Sequence, residues 1–478
     1  MLRLNFSKFT NIFLFGFFCL GIVLGRSFNN FLAFFVLSCC LSVVFFIFHK
    51  RNKPLLLDSL LLVFFLSLGA FWYVSSYVDI DKFLHKEVDI TLKVASLPQA
   101  KTRANTFSAQ IKTMDSQTLD FKVKVIDSTR KMDYLQTYKF KSKIAKRKYK
   151  GREFYSLWVK SDTVTELLPA GFLNSMAKKT SDYIFKVFDK NCTKQSYRFL
   201  ASVFLGRREL LADEAEFFSN AGVSHLLAIS GLHIGLTCLT LFFILRFFNI
   251  EFRACLIISL ILLHFYTFLV GASSSTLRAA VMYSVFAFSF LLRRKSNPLN
   301  SLALAGFVIL FMDAAAIFTI GFQLSFASVL SIILGFRIFK IRPAKILVLN
   351  HIKQIFFCSL FVSLFITPIV SYYFGKIYIL SIFYNILLIP FFTLILGINF
   401  LLIIFSPITF IAQSLGGLLS VFIWCFIGLI RSLGSLSLSF IVYTFSAKIL
   451  SIYYLFLIGI LAIFSSKKSK IGPKYLEN

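Results

Sequence analysis

The chain has 478 residues, of which 58% are hydrophobic and only 15% charged, and it carries 62 phenylalanines. A soluble domain cannot bury that much apolar surface, so the composition excludes a soluble globular protein and predicts a polytopic membrane protein. The formal net charge of +30 has two readings: basic loops that hold helix ends on the cytoplasmic side, or contacts with nucleic-acid phosphates.

Apolar runs at 11–24, 31–48 and 55–74 predict three spanning or nearly spanning helices within an N-terminal membrane segment, residues 1–78. Arg3 and Lys8 precede the first run, and Lys50, Arg51 and Lys53 separate the second from the third. The positive-inside rule then places the N-terminus in the cytoplasm and residue 79 outside. The first run leads straight to further apolar runs, without a cleavable signal pattern. Seven of the eight cysteines lie inside apolar runs, where cysteine behaves as a small hydrophobe, and only Cys192 does not. No structural disulfide is expected.

Residues 79–170 change character and hold about half of the acidic residues. Alternation at 88–94, 107–111 and 119–125, with shorter stretches at 139–140 and 154–159, predicts about five strands. These suit a small extracytoplasmic β-barrel of the OB type, with a sandwich as the alternative. Between the last two strands, Lys141, Lys143, Lys146, Arg147, Lys148, Lys150 and Arg152 form a predicted basic loop. It could contact single-stranded DNA or lipid headgroups, or it could be a solvated hairpin. Residues 171–222 predict an amphipathic membrane-surface helix and a charged connector, with Met176, Ile184, Val187 and Phe188 set against Lys178, Lys179 and Lys186.

From 223 to 466 apolar runs follow one another, with predicted spans at 225–246, 252–270, 275–292, 299–312, 315–336, 350–374, 378–405, 411–431 and 447–465. The run at 299–312 is short enough to be re-entrant. The expected fold is an α-helical polytopic membrane protein of about 11–12 spans carrying an inserted OB-like barrel. If every span crosses, the basic loops at 246–253, 293–295 and 337–345 fall in the cytoplasm with the tail, residues 467–478. Both termini are then cytoplasmic, and residues 79–222 extracytoplasmic.

The stretch 223–236, VSHLLAISGLHIGL, concentrates polar and small residues in an apolar setting. Gly231 and Gly235 form a G-x-x-x-G step that predicts close approach of another helix. His225, Ser230 and His233 accompany it, and polar groups at membrane depth are expensive unless they face a bundle interior or a wet cavity. The two histidines point about 80° apart on a helix, so they could share a lumen but not chelate one ion unaided. Arg278, within GASSSTLR, is a permanent charge that must pair, snorkel or face water. Gln323 places an amide inside an apolar run, and prolines interrupt the spans near 368 and 390.

The only carboxylates between 217 and 466 are Glu251 and Asp313. These cannot build a two-metal nuclease, and no Walker loop, H-E-x-x-H or Cys-x-x-Cys is present. No catalytic residue, metal or cofactor is expected, and the chain reads as a conduit. Two competing readings are an intramembrane hydrolase using Ser230 with His233 or His225, and a non-transport membrane protein that binds lipid.

Several motifs carry a family resemblance. AGVSHLLAISGLHIGL (221–236), LGRRELLADEAEFF (205–218), GASSSTLRAAVM (271–282), the run 300–330 that contains GFQLS, and the run 367–390 resemble the ComEC family of competence proteins. The resemblance covers roughly residues 195–465. It implies an inner-membrane channel of a bacterium that admits one DNA strand, with an OB-like domain outside. His225, Ser230, Gly231, His233, Gly235, Arg278 and Gln323 are the pore candidates. Implied partners are single-stranded DNA, membrane lipids, and separate cytoplasmic motor and DNA-receptor proteins, with the oligomeric state left open. Many members end in a metallo-β-lactamase-like domain; no H-x-H-x-D-H occurs here, so any nuclease is expected on a separate protein.

Overall fold

The computed structural model describes residues 6–28, 54–76, 80–94, 99–100, 105–115, 117–129, 132, 136–149, 152–160, 166–168, 172–227, 229, 231–270, 274–292, 297–339, 346–436 and 439–470. The predicted span at 31–48 lies outside the described residues.

The β-rich region closes on itself. Strand β1 (Glu87–Val94) pairs with β2 (Asn105–Met114), which pairs with β3 (Gln117–Asp127). Strand β3 then runs parallel to β5 (Arg152–Val159), β5 pairs with β4 (Thr137–Tyr149), and β4 returns to β1. This five-stranded closed order is the Greek-key barrel of the OB type, and closure removes the free edges a sandwich would leave. Ile90, Leu92, Ile111, Met114, Val125 and Ile144 fill the interior with no solvent exposure. Two carboxylates finish turns: buried Asp127 accepts the Thr129 N–H at 2.9 Å, and Asp115 accepts the Asp89 N–H at 2.8 Å.

The predicted basic loop is a strand for most of its length. Alternation continues through Ser142 and Ile144, both buried, so β4 extends to Tyr149 and forms a long hairpin with β5. The run of charges masked a period of two.

Helices α1 (Phe6–Phe28) and α2 (Pro54–Ser76) cross closely over glycine. A Cβ at Gly21 would stand 1.8 Å from the Leu66 carbonyl oxygen, and one at Gly69 2.1 Å from that of Phe18. Small residues permit such an approach within a membrane.

The remaining helices are α3 (Phe172–Asn191), α4 (Lys194–Phe204), α5 (Ala215–Asn220), α6 (Gly231–Phe247) and α7 (Phe252–Leu269). They continue with α8 (Ser274–Leu291), α9 (Pro298–Met312), α10 (Ile320–Phe339) and α11 (Leu347–Phe374). The last three are α12 (Ser381–Ile404), α13 (Thr409–Gly434) and α14 (Ala447–Lys470). Among the described residues, α7, α10, α11, α12 and α13 are long and apolar enough to cross a membrane, and six shorter apolar helical stretches lie in α1, α2, α6, α8, α9 and α14.

Two boundaries differ from the sequence reading. The span predicted at 225–246 begins only at Gly231, because residues 224–226 form a separate 3-10 turn. That turn follows Gly222, whose φ of +72° reverses the chain at a conformation that favours glycine. The second concerns 171–222, predicted as a surface helix and connector, which is tied to α13 along its length. Tyr183 hydrogen-bonds Ser406 just before α13, the Asn191 backbone meets Gly416, and the Thr193 N–H donates to the Ser420 hydroxyl. Phe199 then packs on Phe426, Glu214 pairs with Arg431, and the Phe217 backbone meets Gly434. The segment accompanies α13 from end to end, and α4 is core: Phe199, Leu200, Ala201 and Ser202 are 1% exposed or less. Part of its amphipathic period serves packing against helices, while Phe172, Leu173 and Met176 on α3 stay exposed.

Candidate functional site

Five of the membrane helices form a ring. Helix α6 packs on α8, α8 on α10, α10 on α11, α11 on α12, and α12 back on α6. Among the described residues no pair across this ring packs comparably, while α7, α9, α13 and α14 attach from outside. Only 17% of the apolar window of α10 and 28% of that of α11 is buried, so much of each helix faces away from its protein neighbours.

One mouth of the ring is built from the starts of α8 and α10. Arg278, in the second turn of α8, is 6% exposed, and its guanidinium lies over Gly321 in the first turn of α10. A Cβ at Gly321 would stand 3.0 Å from Arg278 Nη2, so glycine there makes room for the charge. Thr319 and Asp313 set up this turn: Asp313 Oδ1 accepts the Ala315 N–H at 3.0 Å, and Thr319 Oγ1 the Phe322 N–H at 3.3 Å. The Gln323 amide donates to the Ile317 carbonyl at 3.2 Å. Its partner is local backbone, which explains how an amide is tolerated there. Arg26, at the end of α1, lies over the Phe318 ring at 4.3 Å. The two motifs GASSSTLR and GFQLS, 43 positions apart between Arg278 and Gly321, thus meet at one place.

The histidines separate. His233 is 2% exposed, and its ring stands 4.7 Å from that of Phe392, joining α6 to α12 in the wall of the ring. His225 lies in the 3-10 turn between buried Val223 and Leu226. Its side chain is exposed. Ser230 lies outside the described residues.

Gly231 and Gly235 do not mediate a close helix crossing. Among the described residues, a Cβ at Gly231 would meet only the Ala279 Cβ at 4.0 Å, and one at Gly235 nothing within 4 Å. Gly235 instead borders an apolar pocket of about 220 Å³ with Leu239, Phe242, Tyr283 and Phe286. Close backbone approaches occur instead at Gly21, Gly25 and Gly69 in the first two helices and at Gly416 and Gly434 on α13.

Of the basic set on the barrel, Lys141 and Lys143 are exposed and stand opposite Asp89 and Glu87 on β1. Opposite charges across a ladder offset one another. Lys146 and Arg147 are exposed farther along β4, opposite Tyr155 and Phe154 in register. Lys148 and Arg152 close the hairpin strands, and Lys150 lies outside the described residues.

Sequence reasoning missed the groups that tie 205–222 to the membrane helices. Arg207 is 2% exposed with its guanidinium 5.7 Å from the Phe185 ring. Lys376 Nζ donates to Asn220 Oδ1 at 2.9 Å and lies 4.0 Å over the Phe440 ring. The available signal was the charged knot RRELLADEAE, whose partners lie more than two hundred residues away for Glu214. Among the described residues no His/Cys/Asp/Glu group could hold a metal ion.

A closed OB-type barrel joined to a set of apolar helices defines a multi-pass membrane protein. Residues 203–468, more than half of the chain, match the family model described as Competence protein, and the chain belongs to that family. It is 35% identical over 171 residues to ComE operon protein 3 of Bacillus subtilis (strain 168), covering 36% of this chain and 21% of that protein. It is also 30% identical over 167 residues to an uncharacterized protein of Aquifex aeolicus (strain VF5), covering 34% of this chain and 39% of that one. The chain thus spans about a fifth and two fifths of these relatives. No solved structure matches.

Proposed function

We propose that this protein is a channel of the bacterial inner membrane that passes single-stranded DNA to the cytoplasm during natural transformation. The observation that carries the reading is the five-helix ring, uncrossed inside, with Arg278 held at one mouth. A buried arginine beside the first turn of α10 adds its charge to the positive end of a helix, which suits phosphate oxygens. Membership of the competence family supports DNA uptake as the process.

Basic loops orient the ring with the Arg278 mouth outward. Three pairs of ends support alternate crossing, Arg26 with Phe318, Arg278 with Gly321, and strand 376–377 with 441–442, whereas Tyr183 bonds Ser406 at the α12–α13 turn. The barrel would sit on the outer side and both termini in the cytoplasm. Lys146 and Arg147, exposed near the end of the long hairpin, are its best-placed contacts for the incoming strand. A motor and a DNA receptor would be separate proteins, and so would any nuclease. The buried stacking of His233 on Phe392 gives no support to a hydrolase.

The test is the fate of labelled DNA offered to competent cells. In a strain lacking this protein, labelled DNA should reach the cell envelope and stay sensitive to added nuclease in spheroplasts. Nuclease-resistant DNA inside such spheroplasts would contradict the proposal.

A further inference from the structure

The cytoplasmic half of the ring contains a cavity of about 800 Å³. It is lined by Thr240 of α6, by α11 residues including Ile352 and Ile355, and by α12 residues including Ile389, Leu394, Ile398 and Leu401. Helix α12 packs on both α6 and α11, which do not pack on each other, and α13 holds the opposite side of α12. A space touching α6, α11 and α12 together therefore opens into the ring. Its depth follows from the residues: the first turns of α11 and the second half of α12 lie at the end opposite Arg278.

Thr240, His351 and Thr393 are the polar members of this lining. The Thr393 hydroxyl is already used on the Ile389 carbonyl at 2.8 Å. Among the described residues no acidic side chain and no lysine or arginine lines the cavity. An ion that gives up its water here is offered only a few polar groups among aliphatic side chains, which leaves most of its desolvation cost, of the order of several kcal/mol, uncompensated. Hydrophobic constrictions stop ions for this reason and gate by losing their water.

We infer that this aliphatic lining is a barrier collar, which keeps the resting channel closed to small ions while leaving room for a strand driven through from outside. The inference rests on the channel reading. It adds that the seal lies in Ile352, Ile355, Ile398 and Leu401 rather than at the Arg278 mouth.

The experiment uses the purified full chain in phospholipid vesicles loaded with sodium, with efflux measured in the absence of DNA. Wild-type vesicles should be as tight as protein-free ones. Ile398→Asn, which places an amide in the collar from α12, should raise efflux roughly tenfold or more, equivalent to about 1.4 kcal/mol off the barrier. Ile355→Asn reaches the same space from α11 and guards against one variant misfolding; Ile398→Val should stay tight. Wild-type efflux already at the level of the Asn variants, or both Asn variants staying tight while monodisperse, would overturn the inference. Because the assay contains no DNA, its failure is separable from failure of the channel reading, which the spheroplast experiment decides.

Discussion

Arg278 and Gly321 are in van der Waals contact: the guanidinium of one lies where a side chain of the other would begin, 3.0 Å from Nη2 to the missing Cβ. This approach sets the distance between the starts of α8 and α10. Gly321→Ala should displace the guanidinium by a few tenths of an ångström and lower transformation moderately. Gly321→Val, with two further carbons, should lower it much more at unchanged membrane content. Equal transformation for glycine, alanine and valine would show that the position of Arg278 is unimportant.

The wall of the ring between α6 and α12 depends on His233 and Phe392. Phe392 is fully buried, faces His233 at 4.7 Å and packs on Phe426 at 6.0 Å. Phe392→Ala should cost about 3–5 kcal/mol, as large-to-small changes in well-packed cores do. The check is the thermal unfolding midpoint in detergent, which should fall by several degrees. A midpoint within a degree of wild type would mean that the wall is held elsewhere.

Much of this was readable in advance, for physical reasons that differ by region. The barrel strands were visible because Val88, Ile90, Leu92 and Val94 alternate with polar residues, a period set by the pleat. The ring was not, since membrane helices are apolar all round and hydropathy gives their number without their neighbours. Arg278, His233 and Gln323 stood out as polar residues at membrane depth, yet only the fold separates their roles. Arg278 sits at a mouth, His233 in a wall, and Gln323 on its own turn. The glycine step at 231 and 235 misled because spacing says nothing about whether a partner helix is there.

Asn399 on α12 is fully buried, and among the described residues neither its amide oxygen nor its amide nitrogen has a hydrogen-bond partner. Burying an unbonded amide costs about 1–3 kcal/mol. Asn399→Leu, branched at the same carbon, should raise the unfolding midpoint. Higher stability together with lost transformation would show that the amide serves a second conformation. A lower midpoint would contradict the packing described.

The barrel carries a pH dependence of known sign. Burial holds the pKa of Lys93 below the ordinary lysine value, and nearby Lys112 lowers it further. The folded state therefore binds this proton less well than the unfolded state. Stability is reduced below the folded pKa and recovered as pH rises from there to the unfolded value. Lys112→Gln should raise the midpoint near neutral pH and flatten its rise toward alkaline pH. An unchanged pH profile would remove Lys112 as a cause.

The central claim is that DNA crosses the membrane through this protein, past Arg278. The most direct measurement is transformation frequency in a clean deletion strain complemented with wild type or with Arg278→Ala, with membrane content matched by immunoblot. Loss of transformation on deletion, full rescue by wild type and failure of Arg278→Ala at equal membrane content is the predicted result. Undiminished transformation in the deletion strain, or full rescue by Arg278→Ala, would contradict it.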